Sequence, residues 1–141
     1  EEKAIEEDSE CIPLSIKLES EISELEPEEK KVFLSELGIE EPAMEKLIKT
    51  SYNSLGLGTF FTAGKKEVRS WVLKKGSLAP EAAGVIHSDF QKGFIKAEVI
   101  SFEDYISLRG EQGARQAGKL RSEGSEYEVK EGDVILFRFN V

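Results

Sequence analysis

The chain has one cysteine, one histidine, one tryptophan and one methionine among its 141 residues. A lone thiol, Cys11, cannot close an internal disulfide, so a reducing intracellular compartment is the default reading. One His and one Cys make no zinc pattern, and nothing completes a nucleophilic triad around His87. Asp89 follows two residues later, but on one continuous helix the two would sit on opposite flanks of the apolar stripe and would not meet. No apolar run approaches the roughly 18 residues that span a bilayer. The opening stretch EEKAIEEDSE is acidic, the opposite of a signal or transit segment. These absences predict a cytoplasmic chain with no metal of its own, no catalytic residue and no membrane partner.

What is present is a charge asymmetry. Residues 1–56 hold 16 acids and 6 bases, whereas residues 57–141 hold 12 acids and 13 bases. An acidic half is repelled by a phosphate backbone, so only the second half is suited to approach nucleic acid.

The acidic half reads mostly as helices. CIPLSI (11–16) is a short apolar run and reads as a buried strand, although no sheet is visible for it to join. LESEISEL (18–25) has helical spacing, and PEEKKVFLSELG opens on Pro27 with acids in its first turn and Gly38 as its stop. PAMEKLIKTSYNSLG carries Met44, Leu47, Ile48, Tyr52 and Leu55 on one stripe.

From Leu57 the character changes. GTFFTAG (58–64) and EVRSWVLKKG (67–76) read as a hairpin of aromatic and β-branched strands. SLAPEAAGVIHSDFQKG reads as one helix ending at Gly93, with Ala79, Ala82, Ala83, Ile86 and Phe90 on its inner stripe. FIKAEVISF alternates, placing Ile95, Ala97 and Val99 inward and Lys96 and Glu98 outward. Ser101 to Asp104 resembles a capping box before a short helix. VILFRF is apolar on both faces at its start, as a central strand requires. A sheet of four or five strands around one helix is an α+β, β-grasp arrangement, preceded here by a helical segment.

GARQAGKL (113–120) spells the beginning of a phosphate-binding loop. Such a loop needs a buried strand before it, a Ser or Thr after the lysine for Mg²⁺, and a helix after that. Leu120 follows Lys119, the preceding SLRGEQ is polar, and the chain soon reaches Ser-Glu-Gly-Ser. The residues fit a small-residue segment packed on the sheet, or a basic loop meeting RNA phosphate through Arg115, Lys119 and Arg121. A second basic set, Lys65, Lys66, Arg69, Lys74 and Lys75, lies along the hairpin among Phe60, Phe61 and Trp71. It suits either RNA bases stacking on a sheet face, or core aromatics with lysines guarding an edge strand.

The phrases FTAGKKEVRSW, APEAAGVIHSDF, GFIKAEV and EGDVILFRFNV resemble the C-terminal TGS domain of the YchF (Obg-like) ATPases. The resemblance extends across LGIEEPAMEKLIKTSYNSLGL, similar to that family's helical link, and CIPLSIKLESEISEL, similar to the end of its nucleotide-binding domain. It implies three parts: residues 1–25 as a remnant of that domain, 26–56 as a connector, and 57–141 as the TGS domain. It aligns Ser15, Ile16 and Lys17 with the family's Ser-Ala-Lys loop beside the purine base, with isoleucine replacing alanine. It implies ATP or GTP hydrolysis with Mg²⁺ in a parent domain outside this chain, and no cofactor here. The implied partners are the ribosome or structured RNA and the parent's own nucleotide-binding domain, without DNA. Regulation and RNA contact are the roles it implies for the TGS region, with docking free of RNA as the alternative.

Overall fold

The computed structural model describes residues 2–6, 11–64 and 67–140. It divides into two compact units, Glu1–Leu55 and Gly56–Val141.

The first unit is helical: α1 (Glu2–Glu6), α2 (Ile16–Ser23), α3 (Pro27–Glu36) and α4 (Ala43–Ser54). The segment 11–16 is not a buried strand. Residues 11–15 are irregular and mostly exposed, and the Ser15 carbonyl accepts from Glu19 N–H at 3.0 Å to start α2. An isolated strand leaves its backbone groups unpaired, and the described residues of this unit offer none to join it. Pro27 opens α3, and Gly38 closes it at φ 65°, where a Cβ would be strained. The Glu19 carboxylate accepts from Ala43 N–H at 2.8 Å, satisfying an orphan donor at the start of α4. Ile22 and Leu34 are buried, but the α4 stripe is not: Met44, Leu47, Ile48 and Leu55 are all exposed.

The second unit contains β1 (Leu57–Ala63), β2 (Val68–Lys74), α5 (Ala79–Ile86), α6 (Ser88–Lys92), β3 (Phe94–Ile100), α7 (Phe102–Ser107), α8 (Glu111–Gln116), β4 (Arg121–Glu123) and β5 (Val134–Phe139). The five strands run in the order β2-β1-β5-β3-β4, which puts β5 in the middle. β1 and β5 are parallel and the remaining neighbours antiparallel. One sheet face holds Phe60, Leu73, Ala97, Val99, Ile135 and Phe137 against Ala79, Ala82 and Ala83 of α5. Those alanines are fully buried, and their small side chains let the helix lie close to the sheet.

Three local expectations are corrected. The helix expected to run unbroken to Gly93 breaks at His87, whose backbone is extended. Its Nδ1 accepts from Asp89 N–H at 3.2 Å, a local bond that competes with helix continuation and caps α6. The break brings the His87 and Asp89 side chains within 3.4 Å, although a continuous helix would separate them. It also lets Phe90 stack on Phe139 at 3.8 Å between centroids. In β3 the register shifts between Phe94 and Lys96, so Ile95 points outward and is exposed, while Phe94 packs on the core.

Candidate nucleic-acid interface

The cross-strand register assigns each basic candidate to a face. Phe60 pairs with Trp71 and Thr62 with Arg69, so these four share the α5 face. Phe61 pairs with Ser70 on the opposite face and packs against Phe102 at 5.7 Å. The hairpin aromatics therefore do not form one stacking platform. Phe60 is buried in the core, and the Trp71 indole N–H donates to Thr62 Oγ1 at 2.9 Å. Arg69 lies 4.3 Å above the Trp71 ring, a cation–π contact. Lys74 ends β2 with its side chain exposed, and Lys75 begins the following turn. Lys65 and Lys66 lie outside the described residues.

The second basic set is built differently. Gly113 to Gln116 form the end of α8, followed by a turn with Gly118 at φ 70°. A helix thus precedes the turn, where a phosphate-binding loop has a strand before it and a helix after. Lys119 Nζ sits 3.7 Å from Asp104 Oδ1, and Leu120 takes the place of the magnesium-binding hydroxyl. These residues do not fit a nucleotide triphosphate. No group of three or more His, Cys, Asp or Glu is placed to hold a metal ion among the described residues.

Arg115 bonds Glu111 at 3.0 Å and approaches Glu98 at 3.6 Å. Arg121 in β4 donates to Glu123 at 3.1 Å, to the Tyr127 hydroxyl at 3.0 Å and to Asp133 at 3.4 Å. Burial disfavours its charge, but the Tyr127, Asp133 and Glu123 contacts outweigh that and raise its pKa. Arg115, Lys119 and Arg121 are each held by carboxylates and are not free arms of one loop. Ser15, Ile16 and Lys17 stand in the first unit, where Ser15 precedes α2, Ile16 is exposed, and Lys17 lies 3.8 Å from Glu21.

Sequence reasoning missed a cluster on the face opposite α5. There Glu98 pairs with Leu136 of β5, and Lys96 pairs with Arg138. Arg138 donates twice to Glu98 Oε2, through Nε at 3.3 Å and Nη2 at 2.9 Å. Lys96 Nζ lies 3.4 Å from Oε1. Burial pushes the Glu98 carboxyl up, but hydrogen bonds and charge from Arg138 and Lys96 reverse this and hold it below the usual range. The signal was available in outline, since alternation puts Lys96 and Glu98 outward in β3 and Arg138 outward in β5. Their meeting depends on the register, which alternation does not supply.

A mixed five-stranded sheet gripping α5, with short helices on its other face, is a TGS-like β-grasp domain. The family model YchF-GTPase_C, described as a protein of unknown function (DUF933), matches residues 57–140. The chain belongs to this family. It is 58% identical over 140 residues to the ribosome-binding ATPase YchF of Bacillus subtilis, and 53% identical to that of Escherichia coli O157:H7. Each comparison covers 99% of this chain but only 38% and 39% of the relative, respectively. The solved YchF GTPase of Schizosaccharomyces pombe superposes with a TM-score of 0.81 at 36% identity, covering 97% of this chain and 37% of that one.

Proposed function

We propose that this chain is the C-terminal region of a cytoplasmic, ribosome-associated YchF-type nucleotide hydrolase, with its β-grasp unit acting as a regulatory and ribosome-contacting module. The observation that carries this reading is 58% identity across 99% of the chain to a relative named as a ribosome-binding ATPase. In this reading residues 1–25 end the nucleotide-binding domain, 26–56 connect, and 57–141 form the contact module. Hydrolysis of ATP or GTP with Mg²⁺ belongs to the part of the relatives that this chain does not span. The basic hairpin residues Arg69, Lys74 and Lys75, with Lys65 and Lys66, are the proposed ribosome contacts, through RNA phosphate.

Co-sedimentation of the chain with ribosomes tests this. Pelleting is expected to fall with rising salt and with charge reversal of Lys65, Lys66, Lys74 and Lys75. Pelleting that ignores the reversals removes the hairpin from the contact, and no pelleting at any salt removes the ribosome from the reading.

A second reading rests on the exposed α4 stripe. Met44, Leu47, Ile48 and Leu55 are between 42% and 69% exposed, an apolar surface suited to docking on the parent's nucleotide-binding domain without RNA.

A further inference from the structure

On the sheet face opposite α5, Lys96 and Arg138 are direct cross-strand partners. Like charges placed opposite one another destabilise a sheet unless something offsets them. Glu98 supplies part of the offset. Its carboxylate is only 9% exposed, while the side chains of Lys96, Arg138 and Arg115 around it are 43%, 48% and 53% exposed. The anion therefore lies beneath and the cations above, towards solvent. Glu111 is the other acid in contact, bonded to Arg115 at 3.0 Å, so three cations meet two carboxylates.

The geometry leaves donors to spare. Arg138 uses Nε and one terminal nitrogen on Glu98, and Arg115 shares a single terminal nitrogen between Glu98 and Glu111. A guanidinium has five N–H donors and an ammonium three, so each group keeps N–H bonds for a further acceptor. Ser122, the β4 partner of Glu98, shares this face and adds a hydroxyl-bearing residue beside the cluster. Fixed, half-exposed guanidinium and ammonium groups with unused donors match the oxygens of a phosphate group better than a single carboxylate.

We propose that Lys96, Arg138 and Arg115, held around Glu98, form a binding site for a phosphate group, supplied by an RNA backbone or by a small phosphorylated molecule. For the RNA source this deepens the contact-module reading and rests on it. It moves the principal contact from the hairpin to the opposite side of the sheet centre. For a small-molecule source it stands independently of that reading.

The test uses the whole chain and two probes, a short fluorescein-labelled oligouridylate and inorganic pyrophosphate. Binding of the first is read by anisotropy across about 50 to 200 mM KCl, and of the second by calorimetry. The double variant Lys96→Gln with Arg138→Gln is expected to weaken binding about tenfold and reduce the oligonucleotide's salt slope by about 1.4, for two phosphate contacts on a single strand. The charge-matched double variant Lys92→Gln with Lys130→Gln is the control, expected to change affinity by less than about threefold. Arg115→Gln removes a side chain from α8 and leaves the β3–β5 pair intact, so it keeps the test readable if the double variant loses its fold. Its expected slope change is about 0.7.

Loss on the oligouridylate alone assigns the phosphate to RNA, and loss on pyrophosphate assigns it to a small molecule. Equal losses in cluster and control variants, or no binding of either probe, overturn the site. Ribosome pelleting that survives the cluster variants would sink the RNA source and leave the ribosome reading standing. Phosphate binding without ribosome pelleting would do the reverse.

Discussion

The Tyr127 hydroxyl donates to Asp133 Oδ2 at 2.7 Å, and the accepting carboxylate is almost completely buried. The same oxygen accepts from Lys130 N–H at 2.9 Å, while Oδ1 takes the Arg121 guanidinium at 3.4 Å. This network fixes the Lys130–Asp133 turn, from which β5 enters the centre of the sheet.

Burial, and secondarily the hydrogen bond to Asp133, push the Tyr127 phenol from 10.0 up to about 12. The folded pKa lies above the unfolded one, so protonated Tyr127 favours the fold fully below about pH 10. That contribution is lost as pH rises through about 12. Absorbance at alkaline pH is expected to show one of the three tyrosines ionising late. Asp133→Asn should bring it back towards its ordinary value, and Tyr127→Phe should cost about 1–2 kcal/mol at neutral pH by removing a donor from a buried carboxylate. A late transition that survives Asp133→Asn would show that burial alone sets it.

Glu98 reverses the sign. Its folded pKa is depressed below the unfolded value, so the ionised carboxylate contributes stability above about pH 4.5 and loses it as pH falls through the folded pKa. Urea unfolding of Glu98→Gln should therefore show its largest deficit near neutrality and a shrinking one in acid. A deficit constant from pH 7 downward would mean that Arg138 and Lys96 do not stabilise the charge.

Much of the β-grasp was legible because its elements announce themselves locally. VILFRF is apolar on both faces at its start, and β5 is the central strand. Failures came where a neighbour decides. CIPLSI has the composition of a strand but no partner strand, and Ser15 becomes a helix entry instead. The apolar stripe from Ala79 to Phe90 continues across His87, so periodicity conceals a break made by one side-chain bond to Asp89. α8 and β4, at 6 and 3 residues, are too short to carry a period. The Lys96–Glu98–Arg138 group was half visible, since alternation gives each strand's outward face but not which residues stand opposite.

The sole tryptophan reports directly on the hairpin. Thr62→Val keeps the shape but removes the hydroxyl that accepts from the Trp71 indole. The expected cost is about 0.5–1.5 kcal/mol, with a shift in Trp71 emission as its N–H seeks water. Arg69→Gln should change the emission through loss of the overlying guanidinium, at a stability cost of about 0.5–1 kcal/mol. Unaltered emission in both variants would show that neither contact persists in solution.

The glycines of GARQAGKL serve packing and a turn, and each makes a different prediction. A Cβ at Gly113 would overlap the Leu108 carbonyl oxygen, because α8 starts hard against the end of α7. Gly113→Ala must push backbone aside and is expected to cost at least about 1–3 kcal/mol. Gly118 has open space around it but sits at φ 70°, so Gly118→Ala carries only the left-handed penalty of about 1–2 kcal/mol. Lys119→Met, which breaks an exposed pair with Asp104, should stay within about 0.5 kcal/mol of the parent chain. Thermal unfolding orders the three as Gly113→Ala, then Gly118→Ala, then Lys119→Met. A phosphate-binding loop would show something else: Lys119→Met would abolish stabilisation by added Mg·ATP. If Mg·ATP raises the melting temperature of the parent chain and not of Lys119→Met, the helix-and-turn account of this segment fails.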